Sequence, residues 1–240
     1  TMPYYYGYYI DPTWILILIG VVICGIASAR VRTTFSRYSK EYSRTGMSGA
    51  EAARRLLDSQ GIYDVQIRRV AGNLTDHYDP RNKTLNLSEA VYDSSSVASV
   101  GVAAHECGHA IQDQVGYAPL RLRSAFVPVA NFGSQISMVL IIAGLIFGAR
   151  SGAYSILVNA GIFCFSLAVL FQLITLPVEF NASHRALVLL QDQGILYADE
   201  AAKTRKVLSA AALTYVAGAL SSMLQLLRLI ILFGNRSRRD

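Results

Sequence analysis

Residues 124–178 read SAFVPVANFGSQISMVLIIAGLIFGARSGAYSILVNAGIFCFSLAVLFQLITLPV. The stretch holds 26 uncharged residues after Arg123, then Arg150, then 28 uncharged residues before Glu179. A helix rises about 1.5 Å per residue and a bilayer core is about 30 Å thick, so either half is long enough to cross a membrane. The short polar turn at 149–152 reverses the chain, and the reading is a transmembrane helical hairpin. Composition agrees: 52% of the 240 residues are hydrophobic and 16% charged, with a mean hydropathy of +0.34. That balance excludes a disordered or collagen-like chain and points to a membrane protein with a modest water-exposed part.

Working toward the N-terminus, residues 13–29 form another uncharged run, about 26 Å as a helix. Tyr4, Tyr5, Tyr6, Tyr8, Tyr9 and Trp14 precede or open it, as an interfacial aromatic belt would. A cleaved signal peptide would carry basic residues ahead of the run; the first here is Arg30, so a retained anchor is expected. Lys and Arg number none before that run, thirteen over 30–123, one in the hairpin turn and four over 185–206. The positive-inside rule then places the N-terminus outside, 30–125 in the cytoplasm, and the chain back inside at Glu179. The net charge of +6 is read as this bias and as contact with anionic lipid, not as a nucleic-acid surface. Residues 207–227 are uncharged but contain Ser209, Thr214, Ser221, Ser222 and Gln225, and a fourth span would put Arg236, Arg238 and Arg239 outside. The pattern favours a helix pair buried under the cytoplasmic domain or lying in the interface. Cys24, Cys107 and Cys164 form no pairable framework and are read as thiols.

The water-exposed segment reads as a small α+β unit. Ser48 and Glu51 form a capping box ahead of Ala52, Ala53, Leu56 and Leu57, and Gly61 ends that helix. Residues 63–70 alternate as a strand, 79–82 form a turn, and 84–88 alternate again as an edge strand. Ser94, Ser95 and Ser96 then offer N-caps for a helix running toward Gly116.

Within that helix stand His105, Glu106, Cys107, Gly108 and His109. Histidines at i and i+4 share a helical face and can hold one tetrahedral ion, with Glu106 beside them to take a proton from water. Gly101 and Gly108 leave room for another element to pack. A catalytic site needs a third protein ligand. His77, in a turn-like stretch, reads as a surface histidine, and Asp113 as a group that orients a ring nitrogen or as a solvated helix end. Glu179 is the best choice for the third ligand: it is the first charge after the hairpin, on the side that carries the histidines. Its helix would bring Ala182, Ser183 and Ala186 to the same face, small enough to press on the metal helix, with Ser183 able to orient a histidine. His184 lies about 140° round from Glu179 and is not made a ligand.

These residues resemble the YugP-like family of bacterial neutral zinc metallopeptidases. More distantly they resemble the gluzincin membrane proteases, which include the heat-shock and CAAX-processing enzymes. The resemblance takes in the N-terminal span, the 102–114 helix, the double span and the Leu176-Pro177-Val178-Glu179-Phe180 run. It implies one zinc ion per chain held by His105, His109 and Glu179, with Glu106 as general base. Many gluzincins carry an aspartate four residues after the ligand glutamate; this chain has Ser183 there.

The expected protein is therefore a mostly α membrane protein with three transmembrane helices, or four, and a small cytoplasmic α+β, minigluzincin-like zinc-metallopeptidase domain. Its parts are an anchor at 1–33, an α+β segment at 34–124, the hairpin at 125–178, and a third-ligand and C-terminal region at 179–240. It would be a multi-pass protein of a bacterial cell membrane, hydrolysing peptide or protein substrates, membrane proteins among them, and binding no nucleic acid. The 84–88 strand would hold an extended peptide by β-augmentation; Tyr215, His184 and Arg185 are the visible oxyanion donors, with nothing to choose between them. Two other readings are a catalytically silent zinc-binding adaptor and a site-2-type intramembrane protease, whose metal motif would lie inside a membrane helix. Oligomeric state is not legible.

Overall fold

A computed structural model describes residues 11–151 and 154–233. The tyrosines at 4–9 and the arginines at 236, 238 and 239 lie outside the described residues. Four helices are long and apolar enough to cross a membrane: α1 (Trp14–Tyr38), α5 (Ala118–Ser151), α6 (Tyr154–Asp192) and α7 (Ala198–Phe233). Within their most apolar windows only 11% to 28% of the residues are buried, so most of that apolar surface needs a non-aqueous neighbour. The C-terminal region is thus one continuous helix, not the expected pair. Small polar residues such as Ser221 and Ser222 interrupt hydropathy, but they do not break helical geometry.

The chain gathers into two compact units, and each of the four long helices contributes to both. The first takes the described parts of Thr1–Gly25, Val129–Leu170 and Ala217–Asp240. Inside it α1 and α7 run antiparallel: Cys24 Sγ lies 3.6 Å from the Ala217 carbonyl, and Arg228 Nη2 donates to Asp11 Oδ2 at 3.3 Å. The Ser137 hydroxyl of α5 donates to the Gly161 carbonyl of α6 at 2.8 Å.

The second unit, Ile26–Pro128 with Phe171–Val216, holds the α+β part. Its first helix, α2 (Gly49–Ser59), begins with the complete Ser48–Glu51 capping box, and Gly61 follows at φ +69°, where a left-handed turn favours glycine. Ala52, Ala53, Leu56 and Leu57 are fully buried. Three strands follow: β1 (Gln66–Val70), β2 (His77–Asp79) and β3 (Thr84–Ser88), in the order β1-β3-β2. β1 pairs parallel with β3 and β2 antiparallel, with Tyr78 opposite Leu85. The expectation of an edge strand at 84–88 is corrected: β3 is central and buried along its whole length. Leu85 and Leu87 enter the core, while Asn86 and Ser88 are satisfied by His77 and Asp76.

The one-turn α3 (Glu89–Tyr92) leads into α4 (Val97–Gln114), whose N-cap Ser96 accepts from the Ser99 amide at 3.1 Å. Gly116, at φ +65°, follows its end. α4 is buried over most of its length and is not among the four helices suited to crossing a membrane.

Candidate metal centre

The site starts from how α4 and α6 meet. A Cβ built on Gly108 would stand 2.6 Å from the Ala182 carbonyl oxygen, so only glycine permits this approach. Ala182 and Ala186 are fully buried in the seam. The contact brings Glu179, one turn earlier on α6, onto the histidines of α4. His105 Nε2 lies 3.2 Å and His109 Nε2 3.5 Å from Glu179 Oε2.

Those separations test whether the donors fit an ion. Zinc bonds of about 2.0–2.1 Å in a tetrahedron set ligand atoms roughly 3.3 Å apart. The three ligand atoms all lie within 4.8 Å of one another, and the two shortest separations match that edge. The rings are also turned for it. His105 Nδ1 is 3.0 Å from Ser183 Oγ and His109 Nδ1 is 3.1 Å from Gln112 Oε1. With Nδ1–H donating in both, the Nε2 lone pairs face the carboxylate, which is the tautomer a metal requires. Burial of His109 disfavours its cation, but the bond to Glu179 and the Glu106 and Glu179 charges outweigh that and raise its pKa above the ordinary value. This is the electrostatics of a site built for positive charge.

Glu106 stands apart from the three. Only 8% exposed, it accepts from the Tyr78 amide of β2 at 3.1 Å. Its carboxylate lines a cleft of about 220 Å³, together with His109, Glu179, Arg123, Tyr215 and residues 76–78. The Tyr78 hydroxyl donates to Asp113 Oδ2 at 2.8 Å, which ties β2 to α4 a second time.

Not every expected residue takes the expected place. Asp113 holds Tyr78 rather than a histidine ring, because it lies one turn beyond His109 toward β2. His77 is exposed on the cleft rim with both ring nitrogens engaged, by the Thr75 carbonyl and by Asn86. Of the three oxyanion candidates only Tyr215 lines the cleft. His184 and Arg185 are corrected: they line a separate hollow with Gln60 and Ile111, and Arg185 Nε donates to Asn181 Oδ1 at 2.8 Å. Their positions on α6 turn them away from the Glu179 face.

Three contacts escaped the sequence reading. Arg123 Nη1 donates to Glu179 Oε1 at 3.1 Å, leaving Oε2 to face the histidines. Gln112, fully buried, also donates from Nε2 to the Val178 carbonyl at 2.9 Å and to Asn181 Oδ1 at 3.0 Å, fixing α4 to α6 on both sides of Glu179. Tyr78 carries the link to Glu106. A polar Gln112 three residues after His109 was the available signal; Arg123 passed for a membrane-flanking charge.

The family profile described as "Putative neutral zinc metallopeptidase" matches residues 13–234. A Bacillus subtilis (strain 168) protein described as "Putative membrane protease YugP" is 47% identical over 209 residues, covering 87% of this chain and 91% of that protein. No solved structure matches. The matched span includes every residue that meets at the cleft, and the chain belongs to this neutral zinc metallopeptidase family.

Proposed function

We propose that the protein is a membrane-embedded zinc endopeptidase that hydrolyses peptide bonds at the cytoplasmic face of a bacterial membrane, with a gluzincin-type site. The observation that carries this reading is the convergence of His105, His109 and Glu179 within 4.8 Å beside a cleft into which an unligated Glu106 opens. Three protein donors leave a coordination position free, whereas a purely structural site is closed by four. Zinc, when bound, supplies Lewis acidity that brings the deprotonation of water close to neutral pH and polarises a carbonyl.

The chain's own residues do the rest. Glu106 takes the proton of the attacking water and passes it to the leaving amine. The Tyr78 amide holds Glu106 in place. Tyr215 offers a hydroxyl donor to the developing oxyanion and Arg123 a cation, both from the cleft wall. An extended substrate strand lies beside β2, the edge strand that borders the cleft and whose Tyr78 amide is taken by Glu106; β3 has neighbours on both sides. Substrates are peptides or proteins, membrane proteins among them.

The test is the full chain purified in detergent, assayed for zinc and for cleavage of an unstructured protein. Glu106→Gln is expected to keep one zinc per chain and to lose at least about 100-fold in turnover. Cleavage by this variant at the wild-type rate removes Glu106 from the mechanism. A wild-type protein that binds one zinc and cleaves no peptide is an adaptor instead.

A further inference from the structure

We infer that α1 and α7, just beyond their uncharged runs, form a binding site for the phosphodiester headgroup of an anionic phospholipid, an inference that rests on the membrane reading of these helices. A groove of about 610 Å³ within the second unit is lined by Arg30 and Arg37 on α1 and by Arg205 and Lys206 on α7, with hydroxyls from Thr34 and Ser209. No carboxylate lines it. Several other cations of that unit are matched by acids: Arg44 pairs with Asp199, Arg54 with Asp58, Lys83 with Asp64, and Lys203, one turn before Lys206, with Glu41. Among the described residues none of the groove's four cations has an acidic partner. Four like charges around one hollow repel each other, and an anion seated among them relieves that repulsion. Arg30, Thr34 and Arg37 share one face of α1, and Arg205 and Ser209 share one face of α7, so the donors converge.

Depth selects the lipid. Arg30 is the first charge after the uncharged run 13–29, and Arg205 and Lys206 are the last before the uncharged run 207–227. Arg30 and the Arg205–Lys206 pair therefore stand at headgroup level, where basic pockets between membrane helices recognise acidic lipids, with Arg37 about two turns farther along α1. Beside the groove, an apolar hollow of about 240 Å³ between α6 and α7 shares Ser209 and Leu213 with it. An acyl chain can lie along that hollow, lined by Phe180, Leu187 and Val216; a free phosphate has no use for it.

The test uses the full chain in neutral detergent, titrated with dioleoylphosphatidylglycerol in mixed micelles. Dioleoylphosphatidylcholine, inorganic phosphate and polyglutamate serve as competitors. Saturable binding of one phosphatidylglycerol per chain is expected, displaced by none of the three at comparable concentration. R37Q/R205Q/K206Q should weaken it about fivefold per cation, on the order of 100-fold in all, while the charge-matched K40Q/R68Q/R81Q stays near wild type. Monodispersity and zinc content equal to wild type show that each variant is folded; should the triple variant misfold, R205Q alone is expected to show the fivefold step. Equal weakening by both triple variants, or equal binding of phosphatidylcholine, overturns the site. Inorganic phosphate binding as tightly as the lipid replaces it with a soluble ligand, and tighter binding of polyglutamate replaces it with an acidic protein segment.

Discussion

Ser183 shows how a single hydroxyl can serve a metal site without touching the metal. Its oxygen lies 3.0 Å from His105 Nδ1 and so holds the ring with Nε2 toward Glu179. Removing such a partner from a ligating histidine typically costs 10–100-fold in metal affinity. Ser183→Ala is therefore expected to weaken zinc binding by about that factor in a chelator-competition titration, Ser183→Thr to restore most of it, and Glu179→Ala to abolish tight binding. A zinc affinity unchanged in Ser183→Ala would mean that packing alone orients the ring. Ser183 was legible because it stands one helical turn after Glu179. Arg123 was not, since a cation ahead of an apolar helix is also what membrane topology asks for. Only the structure shows that it binds the carboxylate oxygen turned away from the histidines. Cys107 sits inside the metal motif yet faces the core, with its Sγ 3.6 Å from the Ala53 carbonyl. Burial, with the Glu106 charge, pushes its pKa far up. It should resist maleimide at neutral pH in the folded protein and react on unfolding, because the thiolate is the nucleophile.

At the scale of elements, the site depends on two helices approaching at backbone distance. In Gly108→Ala the new Cβ meets the Ala182 carbonyl at 2.6 Å, and α4 and α6 must part. The expected cost is about 1–3 kcal/mol of stability, together with a loss of zinc affinity as Glu179 moves away from the histidines. Gly101→Ala is the control. Its Cβ meets the Thr204 methyl at 2.4 Å, and the Thr204 hydroxyl donates to the Val97 carbonyl at 2.9 Å. Thr204 is fully buried and tied to Val97, so this contact also costs stability, about 1–3 kcal/mol, but it does not touch Glu179 and zinc binding stays intact. Thermal midpoints and zinc affinities of the two variants decide the point. Helix α2 offers a pH test. The Ser48 backbone and side-chain bonds hold the Glu51 carboxyl below its ordinary pKa. Its folded pKa is thus depressed, so its contribution is present above about pH 4.5 and is lost as pH falls through the lower folded value. The gap in thermal midpoint between wild type and Glu51→Gln should accordingly close on acidification; a gap that stays constant contradicts the cap's ionic character. This cap, like the helix 97–114, could be read directly, since local hydrogen bonds write it into adjacent residues. The place of β3 could not. Thr84, Asn86 and Ser88 suggest a wet face, and only the structure shows that His77 and Asp76 satisfy Asn86 and Ser88 while Asn86 donates to Thr84.

At the scale of the whole molecule, the sequence reading divides α7 between an interfacial or buried helix and a fourth span. Arg228 interrupts the apolar C-terminal run, and the reading from sequence gave that charge to an interfacial or buried helix. Within the first unit, however, Arg228 Nη2 reaches Asp11 Oδ2 at 3.3 Å, and its guanidinium lies 4.8 Å from the centre of the Trp14 ring. A paired cation over an aromatic face near a span's end is tolerated far better than a lone one. The end of α7 therefore adjoins the start of α1, and an antiparallel partner of a crossing helix crosses too. Four crossings with the positive-inside bias of 30–123 predict the turn after α6 in the cytoplasm, and the α5–α6 connection and the end of α7 outside. Alkaline phosphatase, active only after export, should be inactive when fused after Gln193 and active when fused after Phe233, with a fluorescent-protein fusion giving the reverse. A fluorescent fusion after Phe233 would leave α7 on the cytoplasmic side. It would also separate Arg228 from Asp11, so the double-mutant coupling between Asp11→Asn and Arg228→Gln should vanish in the same protein. Coupling together with export establishes the four-span arrangement.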